Sequence, residues 1–205
     1  MRIIILGGFL GSGKTTTLLS LAKHLNIQKP QNRKIATVIL ENEIGEIGVD
    51  DQQLSDGDYK VSTIFSGCIC CTMASELIQC INTVTQKYSP QNILIESTGL
   101  AYPDRIAEQI LKYAGGCTSL LTLVLADAER WDENMETLDG LLSRQLRGGN
   151  SVLLNKIDCV KPEDQARIKD EIKALHPEAQ VFLVNARRGI ADEQWDEILK
   201  DWQVS

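Results

Sequence analysis

The chain lacks any stretch long enough to cross a membrane as a helix. Its longest apolar run, from Ile3 to Leu10, is far short of the roughly 20 residues a span needs. No small-residue cleavage site follows that run and Lys14 interrupts it, so it reads as a buried first strand in a cytoplasmic chain rather than as a secretory leader. Basic charge is also lacking. Lys and Arg number 21 against 28 Asp and Glu, a formal net charge of -7. Without a basic stripe the chain has no electrostatic footprint for a phosphate backbone, which argues against nucleic acid and anionic membrane as partners. Histidine is scarce. His24 and His176 are isolated, which excludes a His-rich metal store. No internal repeat and no low-complexity segment is present.

What is there is an ordinary globular composition, 43% hydrophobic and 24% charged. A chain of 205 residues can bury about 70% of its unfolded surface without disulfide or metal staples, as one domain. Six cysteines are expected to be reduced in such a compartment. Cys68, Cys70 and Cys71 lie within four residues, which points to metal or redox chemistry rather than a disulfide framework. Cys80, Cys117 and Cys159 stand singly and read as packed side chains.

Apolar runs at 2–6, 35–40, 60–65, 93–95, 120–126, 151–154 and 181–184 read as strands covered on both faces. Helical faces alternate with them. They are formed by Leu18, Leu21, Ala22 and Leu25, by Ala74, Leu77, Ile78 and Ile81, and by Ile106, Ala107, Ile110 and Leu111. Three more are Met135, Leu138, Leu142 and Leu146, then Ile168, Ile172 and Leu175, then Trp195, Ile198, Leu199 and Trp202. This alternation predicts a doubly wound α/β domain with a mainly parallel sheet. Trp195 and Trp202 are expected in the core. The stretch from 41 to about 60 reads as a long functional loop.

Gly8-Phe-Leu-Gly11-Ser12-Gly13-Lys14-Thr15 follows a predicted strand and opens a predicted helix, the context that gives a phosphate-binding loop its meaning. Its glycines let backbone N–H groups approach phosphate, and the helix N-terminus adds a favourable field. Gly8, Gly11, Ser12, Gly13, Lys14, Thr15 and Thr16 are the candidate phosphate ligands. Lys14 is expected to reach the β- and γ-phosphates, and the Thr15 hydroxyl to hold Mg²⁺. Asn155-Lys156-Ile157-Asp158 follows an apolar run near the end of the chain. The Asp158 carboxylate matches the paired N1–H and N2 amino donors of guanine, which adenine lacks. GTP and GDP are thus the expected nucleotides. Asn185 and Ala186 end the next strand and are placed beside the base. Glu96 tips a strand ahead of Ser-Thr-Gly99, where a carboxylate reaches Mg²⁺ through water and the Gly99 N–H approaches the γ-phosphate.

The thiolates of Cys68, Cys70 and Cys71 favour a soft metal, Zn²⁺ or Cu(I). Three leave one place in a tetrahedral shell for a carboxylate, a His or water, which suits delivery. A buried inert cluster and a redox role are the alternatives.

Together these motifs resemble the CobW/HypB/UreG family of GTPases, and its CobW-like branch most. The resemblance rests on residues 8–16, on Glu41-Asn-Glu-Ile-Gly-Glu-Ile-Gly-Val-Asp50, on Gly67-Cys-Ile-Cys-Cys71, on Glu96-Ser-Thr-Gly99 and on Asn155-Lys156-Ile157-Asp158. It spans essentially the whole chain as a single GTPase domain over 1–205. It implies a GTPase that assembles metal centres, with zinc as cargo and a client metalloprotein as partner. It implies that Glu41 joins Cys70 and Cys71 as metal ligands, and that Asp50 belongs to the first switch. Such proteins typically carry a further C-terminal domain and often a His-rich loop, whereas this chain stops at Ser205, so a client-binding surface that differs or is absent is expected.

Lys14, Asp50 and Glu96 are the candidate catalytic residues. No water-positioning Gln or arginine finger stands out, so slow intrinsic hydrolysis is expected. Three readings follow. The first is a GTP-driven metallochaperone. The second is a GTPase that gates or reactivates a corrinoid or methyltransferase-type metalloenzyme. The third is a metal-sensing binding module. A homodimer bridged by shared metal is compatible with the thiolates.

Overall fold

A computed structural model of the protein describes residues 1–27, 36–43, 59–65 and 73–202. Asp50, Cys68, Cys70 and Cys71 lie outside the described residues.

Seven strands form one sheet. They are β1 (Arg2–Gly8), β2 (Thr37–Glu43), β3 (Tyr59–Phe65), β4 (Asn92–Glu96), β5 (Ser119–Asp127), β6 (Ser151–Asn155) and β7 (Gln180–Leu183). Their spatial order is β3-β2-β4-β1-β5-β6-β7, and every pairing is parallel. The helices are α1 (Lys14–Ile27), α2 (Met73–Tyr88), α3 (Pro103–Tyr113), α4 (Trp131–Arg147), α5 (Pro162–Leu175) and α6 (Asp192–Ile198). Each of the seven expected strands and six expected helices is present, as the sequence pattern predicts for a doubly wound domain.

Alternation along the strands sorts the core onto two faces. Ile4 and Leu6 of β1 join Leu18, Leu21 and Leu25 of α1 and Trp195 of α6 on one side. Ile3 and Ile5 face the other way, with Ile81 of α2 and Ile110 of α3. In β5, Leu123 and Leu125 join the first group. Val124 and Ala126 join Trp131 and Leu142 of α4 and Ile168 of α5. Helices α3 and α5 both begin with proline, whose fixed φ suits the first helical position and whose missing N–H costs nothing there. In α4, which kinks at Leu138 where φ is -133°, Asp132 and Glu133 lie in the first turn of the first half and Arg144 and Arg147 in the last turn of the second, each sign at the end that helix dipoles favour.

The C-terminal helix is fastened to α1, the helix that carries the phosphate loop. His24 is buried between two carboxylates, with Nδ1 at 2.7 Å from Asp192 and Nε2 at 3.3 Å from Asp196. The Trp195 indole N–H donates to Ser20 Oγ at 3.1 Å.

Three expectations need correction. The stretch from 41 is not all loop: Glu41 lies inside β2, and β3 already begins at Tyr59. Helix α6 stops at Ile198, and Trp202 sits in a separate short 3-10 turn, though it is buried as expected. Cys159 is exposed rather than packed, while Cys80 and Cys117 are half-buried.

Trp195 is 0% exposed, so Trp195→Ala leaves a large cavity beneath α1 and α6. A loss of about 3–5 kcal/mol is expected in urea denaturation. A loss under about 1 kcal/mol would contradict the packing described.

Candidate nucleotide site

Parallel strands bring their carboxyl ends to one edge of the sheet, and a doubly wound domain binds ligands there, where the strand order reverses about β1. The candidate residues following β1, β4 and β6 all sit at that edge.

The loop after β1 leads into α1 at Lys14. Gly8 and Gly13 adopt φ of +130° and +98°, which side chains rarely tolerate. Space forbids them as well. A Cβ at Gly8 would lie 2.4 Å from the Leu125 carbonyl oxygen, and one at Gly13 would lie 2.4 Å from Asn155 Nδ2. The first turn of α1 has no intrahelical partner for its N–H groups, which is what an anion needs. Ser12 Oγ is buried without a partner among the described residues, a polar orphan that fits an absent polar ligand.

Lys14 is only 6% exposed, and its ammonium donates to the Phe9 carbonyl at 3.2 Å. Burial pushes its pKa down, and the nearby Glu96 carboxylate partly opposes that. An ammonium stripped of water in this way is poised for phosphate. The Thr15 hydroxyl donates to Glu96 Oε1 at 2.9 Å. A hydroxyl and a carboxylate side by side are hard oxygen ligands of the kind Mg²⁺ takes, together with water and phosphate oxygens. Thr16 is exposed in the first turn of α1. In β2, Glu41 pairs in register with Glu96 of β4, which sets an internal residue of β2 beside the last residue of β4.

On the base side, Asn155 ends β6 and its buried amide faces inward. Nδ2 donates to the Ser12 carbonyl at 2.8 Å, and Oδ1 accepts the Ala186 N–H at 2.9 Å. One side chain thus joins the phosphate loop, β6 and the loop after β7. The Ala186 N–H is engaged by Asn155, and Asn185 Oδ1 accepts the Arg188 N–H at 3.2 Å. Lys156 has φ of +60°, a left-handed turn that costs a non-glycine residue about 1 kcal/mol. Its ammonium meets the buried Asp127 Oδ2 at 2.6 Å. Asp158 follows in a short 3-10 turn and is exposed at the edge.

Three residues of the site escape the sequence reading. Asp127 fixes Lys156 and also accepts the Glu129 N–H at 3.1 Å and the Arg130 N–H at 3.4 Å. An acidic residue closing an apolar strand was its visible signal, as for Glu96. Arg130 is exposed, with Nη1 at 4.0 Å from the Cβ position of Gly11, and nothing in its local sequence announces that. Gln145 stands on the apolar face of α4, three residues after Leu142, and reaches across to the carbonyls of Gly99 and Ala101.

A glycine-bent loop feeding a helix, a Thr–Glu oxygen pair and an Asn-Lys-x-Asp turn at the same sheet edge define a P-loop nucleotide-binding protein. The comparison with known families agrees. The profile described as CobW/HypB/UreG, nucleotide-binding domain, matches residues 2–183, and the chain belongs to that family. It is similar to the zinc chaperone YjiA of Escherichia coli, at 30% identity over 192 residues, covering 90% of this chain and 57% of that protein. It is also similar to the zinc-regulated GTPase metalloprotein activator 1 of Dictyostelium discoideum, at 28% identity over 221 residues, covering 89% of this chain and 45% of that protein. The chain therefore spans about half the length of these curated relatives. In fold it resembles the hydrogenase maturation factor HypB of Archaeoglobus fulgidus, with a TM-score of 0.65 at 18% identity over 98% of this chain and 89% of that one. Among the described residues, no helix is long and apolar enough to cross a membrane.

The two ends of the Asn-Lys-x-Asp turn are expected to behave oppositely. Asn155→Ala strands a buried carbonyl and a buried N–H, and unfolding of the nucleotide-free protein should become easier by about 2 kcal/mol or more. Asp158→Ala removes an exposed carboxylate and should stay within about 0.5 kcal/mol of the parent. Equal losses in chemical denaturation would refute the division of labour between them.

Proposed function

We propose that the chain is a GTP-binding, GTP-hydrolysing metallochaperone domain in which the nucleotide controls binding and release of a thiophilic metal, zinc, for a client metalloprotein. The observation that carries this reading is the placement of Glu41. It lies on β2 in register with Glu96, the residue hydrogen-bonded to Thr15 of the phosphate loop. A residue assigned to the metal and one assigned to the nucleotide's Mg²⁺ thus occupy paired positions on neighbouring strands.

The roles follow from the chemistry of each group. The loop from Gly8 to Gly13 cradles the phosphates with backbone N–H groups. Lys14 neutralises charge on the β- and γ-phosphates. Thr15 and Glu96 hold Mg²⁺, Glu96 through water, and the ion offsets the charge that develops on the phosphates. Asp158 accepts the two guanine donors, while Lys156, tied to Asp127, lies alongside the base. Asp50 belongs to the switch that senses the γ-phosphate. Glu41 with Cys68, Cys70 and Cys71 makes the cargo site. The chain runs into the cysteine segment after Phe65 and out of it into α2 at Met73, and β3 ends beside β2, with Phe65 paired to Glu43. Hydrolysis attaches a water oxygen to the γ-phosphorus and breaks its bond to the β–γ bridging oxygen. Turnover of the isolated chain is slow, below about 0.1 s⁻¹, because stabilisation of the transition-state charge awaits a partner.

Coupling of this kind is reciprocal. A tenfold change in zinc affinity between nucleotide states requires about 1.4 kcal/mol, and the same factor must appear in GTP affinity when zinc is bound. In chelator competition under reducing conditions, zinc affinity should differ about tenfold or more between Mg·GTP and Mg·GDP. The site should vanish when Cys68, Cys70 and Cys71 are all changed to Ser. Tight zinc binding indifferent to nucleotide would remove delivery from the reading. Absence of a tight site would favour a GTPase that gates a metalloenzyme.

Base selection has its own test. Asn at position 158 presents one donor and one acceptor, which suits xanthine and not guanine. Asp158→Asn should weaken GTP binding by about 100-fold and raise the preference for XTP. ATP competing as well as GTP against the parent protein would overturn the guanine assignment.

A further inference from the structure

We infer that Gln145 of α4 is a positioning residue that sets the turn facing the γ-phosphate, so that discrimination of GTP from GDP depends on a side chain that touches neither nucleotide. The inference rests on the guanine-nucleotide reading above.

The turn after β4 is short and closed by the Ala101 N–H donating to the Thr98 carbonyl at 3.1 Å. On one side it leans on the phosphate loop: a Cβ at Gly99 would lie 2.9 Å from the Leu10 nitrogen. On the other side stands Gln145, 0% exposed. Its Nε2 donates to the Gly99 carbonyl and to the Ala101 carbonyl, each at 2.9 Å. Both amide hydrogens are thus spent on the two carbonyls that flank Leu100.

This contact controls orientation. A peptide unit is planar and trans, so its C=O and the following N–H point in opposite directions. Drawing the Gly99 and Ala101 carbonyls toward α4 turns the N–H groups of Leu100 and Tyr102 away from it. The turn is left one way to lie between Leu10 and Gln145, and the Gly99 N–H is held with it. The amide itself has one sensible orientation, since the reverse would set Oε1 against two carbonyl oxygens.

The anchor is firm at its base. Arg144, one residue earlier, pairs with Asp104 at the start of α3 at 2.5 Å. The backbone at Gly148 abuts Asp104 too, leaving 3.2 Å to a Cβ built there. Independently of the turn, Leu142 and Leu146 bury α4 against Val124 and Ala126 of β5 and Ile168 of α5, and Gln145 projects from that packed stretch.

Stability alone is a poor explanation of Gln145. Its Oε1 is buried without a partner among the described residues, a cost that an apolar side chain of similar size would not carry. Replacing it removes two hydrogen bonds but also one orphaned acceptor, so the fold is expected to survive.

The test uses the full chain, stripped of nucleotide, titrated with fluorescent GDP and a fluorescent non-hydrolysable GTP analogue in Mg²⁺. Gln145→Leu should weaken the GTP analogue about tenfold or more, the worth of one hydrogen bond to a charged oxygen. GDP should stay within about twofold, because the turn meets only the γ-phosphate. An unchanged ratio of the two affinities would overturn the inference, and so would an equal loss of both. Gln145→Met, unbranched and close to glutamine in length, gives the same readout should the leucine variant not fold. Hydrogen exchange on the parent protein gives an independent one: the amides of residues 99–102 should slow with the GTP analogue and not with GDP. Identical exchange in the two states also overturns it. A parent protein that binds neither guanine nucleotide would remove the nucleotide reading itself, and the inference with it.

Discussion

The site depends on one buried amide. Asn155 donates to the Ser12 carbonyl in the phosphate loop and accepts from the Ala186 N–H in the loop after β7. Without it, two loops separated in sequence by more than a hundred residues would have no common reference. Its effect is geometric before it is energetic, because it fixes the distance between the loop after β1 and the turn after β6. The same atom excludes every residue but glycine at position 13, where a Cβ would come within 2.4 Å of Nδ2. The loop glycine and the strand-end asparagine are one constraint seen from two sides.

Around that staple the edge of the sheet carries charge in a graded way. Lys14 is buried and its pKa is pushed down, with Glu96 as the opposing influence. Lys156 is tied to the buried Asp127, and Asp158 is left exposed. Burying a charge without a carboxylate in direct contact is costly, so the buried Lys14 ammonium fits a site that takes an anion. The orphaned Ser12 hydroxyl marks the same place from the side of hydrogen bonding.

Connection to a metal would run along the sheet rather than through it. Strands β2 and β4 are neighbours, and Glu41 and Glu96 share a register. Glu96 accepts the Thr15 hydroxyl of the phosphate loop and is the register partner of Glu41. On the other flank, the turn at Gly99 is held between the phosphate loop and α4. The loop after β1 is thus bordered by two elements, one leading toward β2 and one toward α4.

Local chemistry determined a great deal here. Continuous apolar runs carried all seven strands and period-3.6 faces all six helices, because strands covered on both faces must be apolar throughout and helices on a sheet must be apolar on one face. The phosphate loop and the Asn-Lys-x-Asp turn were legible because their chemistry needs contiguous residues. The limits of β2 were misjudged: Glu41 and Asn42 read as loop residues, yet ladder pairing with β3 and β4 carries polar residues along as strand. Only the tertiary structure decided which distant side chains meet. Asp127 beneath Lys156, His24 between Asp192 and Asp196, and Gln145 beneath the Gly99 turn pair residues 29, 168 and 46 positions apart. Such pairings leave no periodic trace in the chain, because they are set by the order in which parallel strands assemble, and that order is a property of the sheet as a whole.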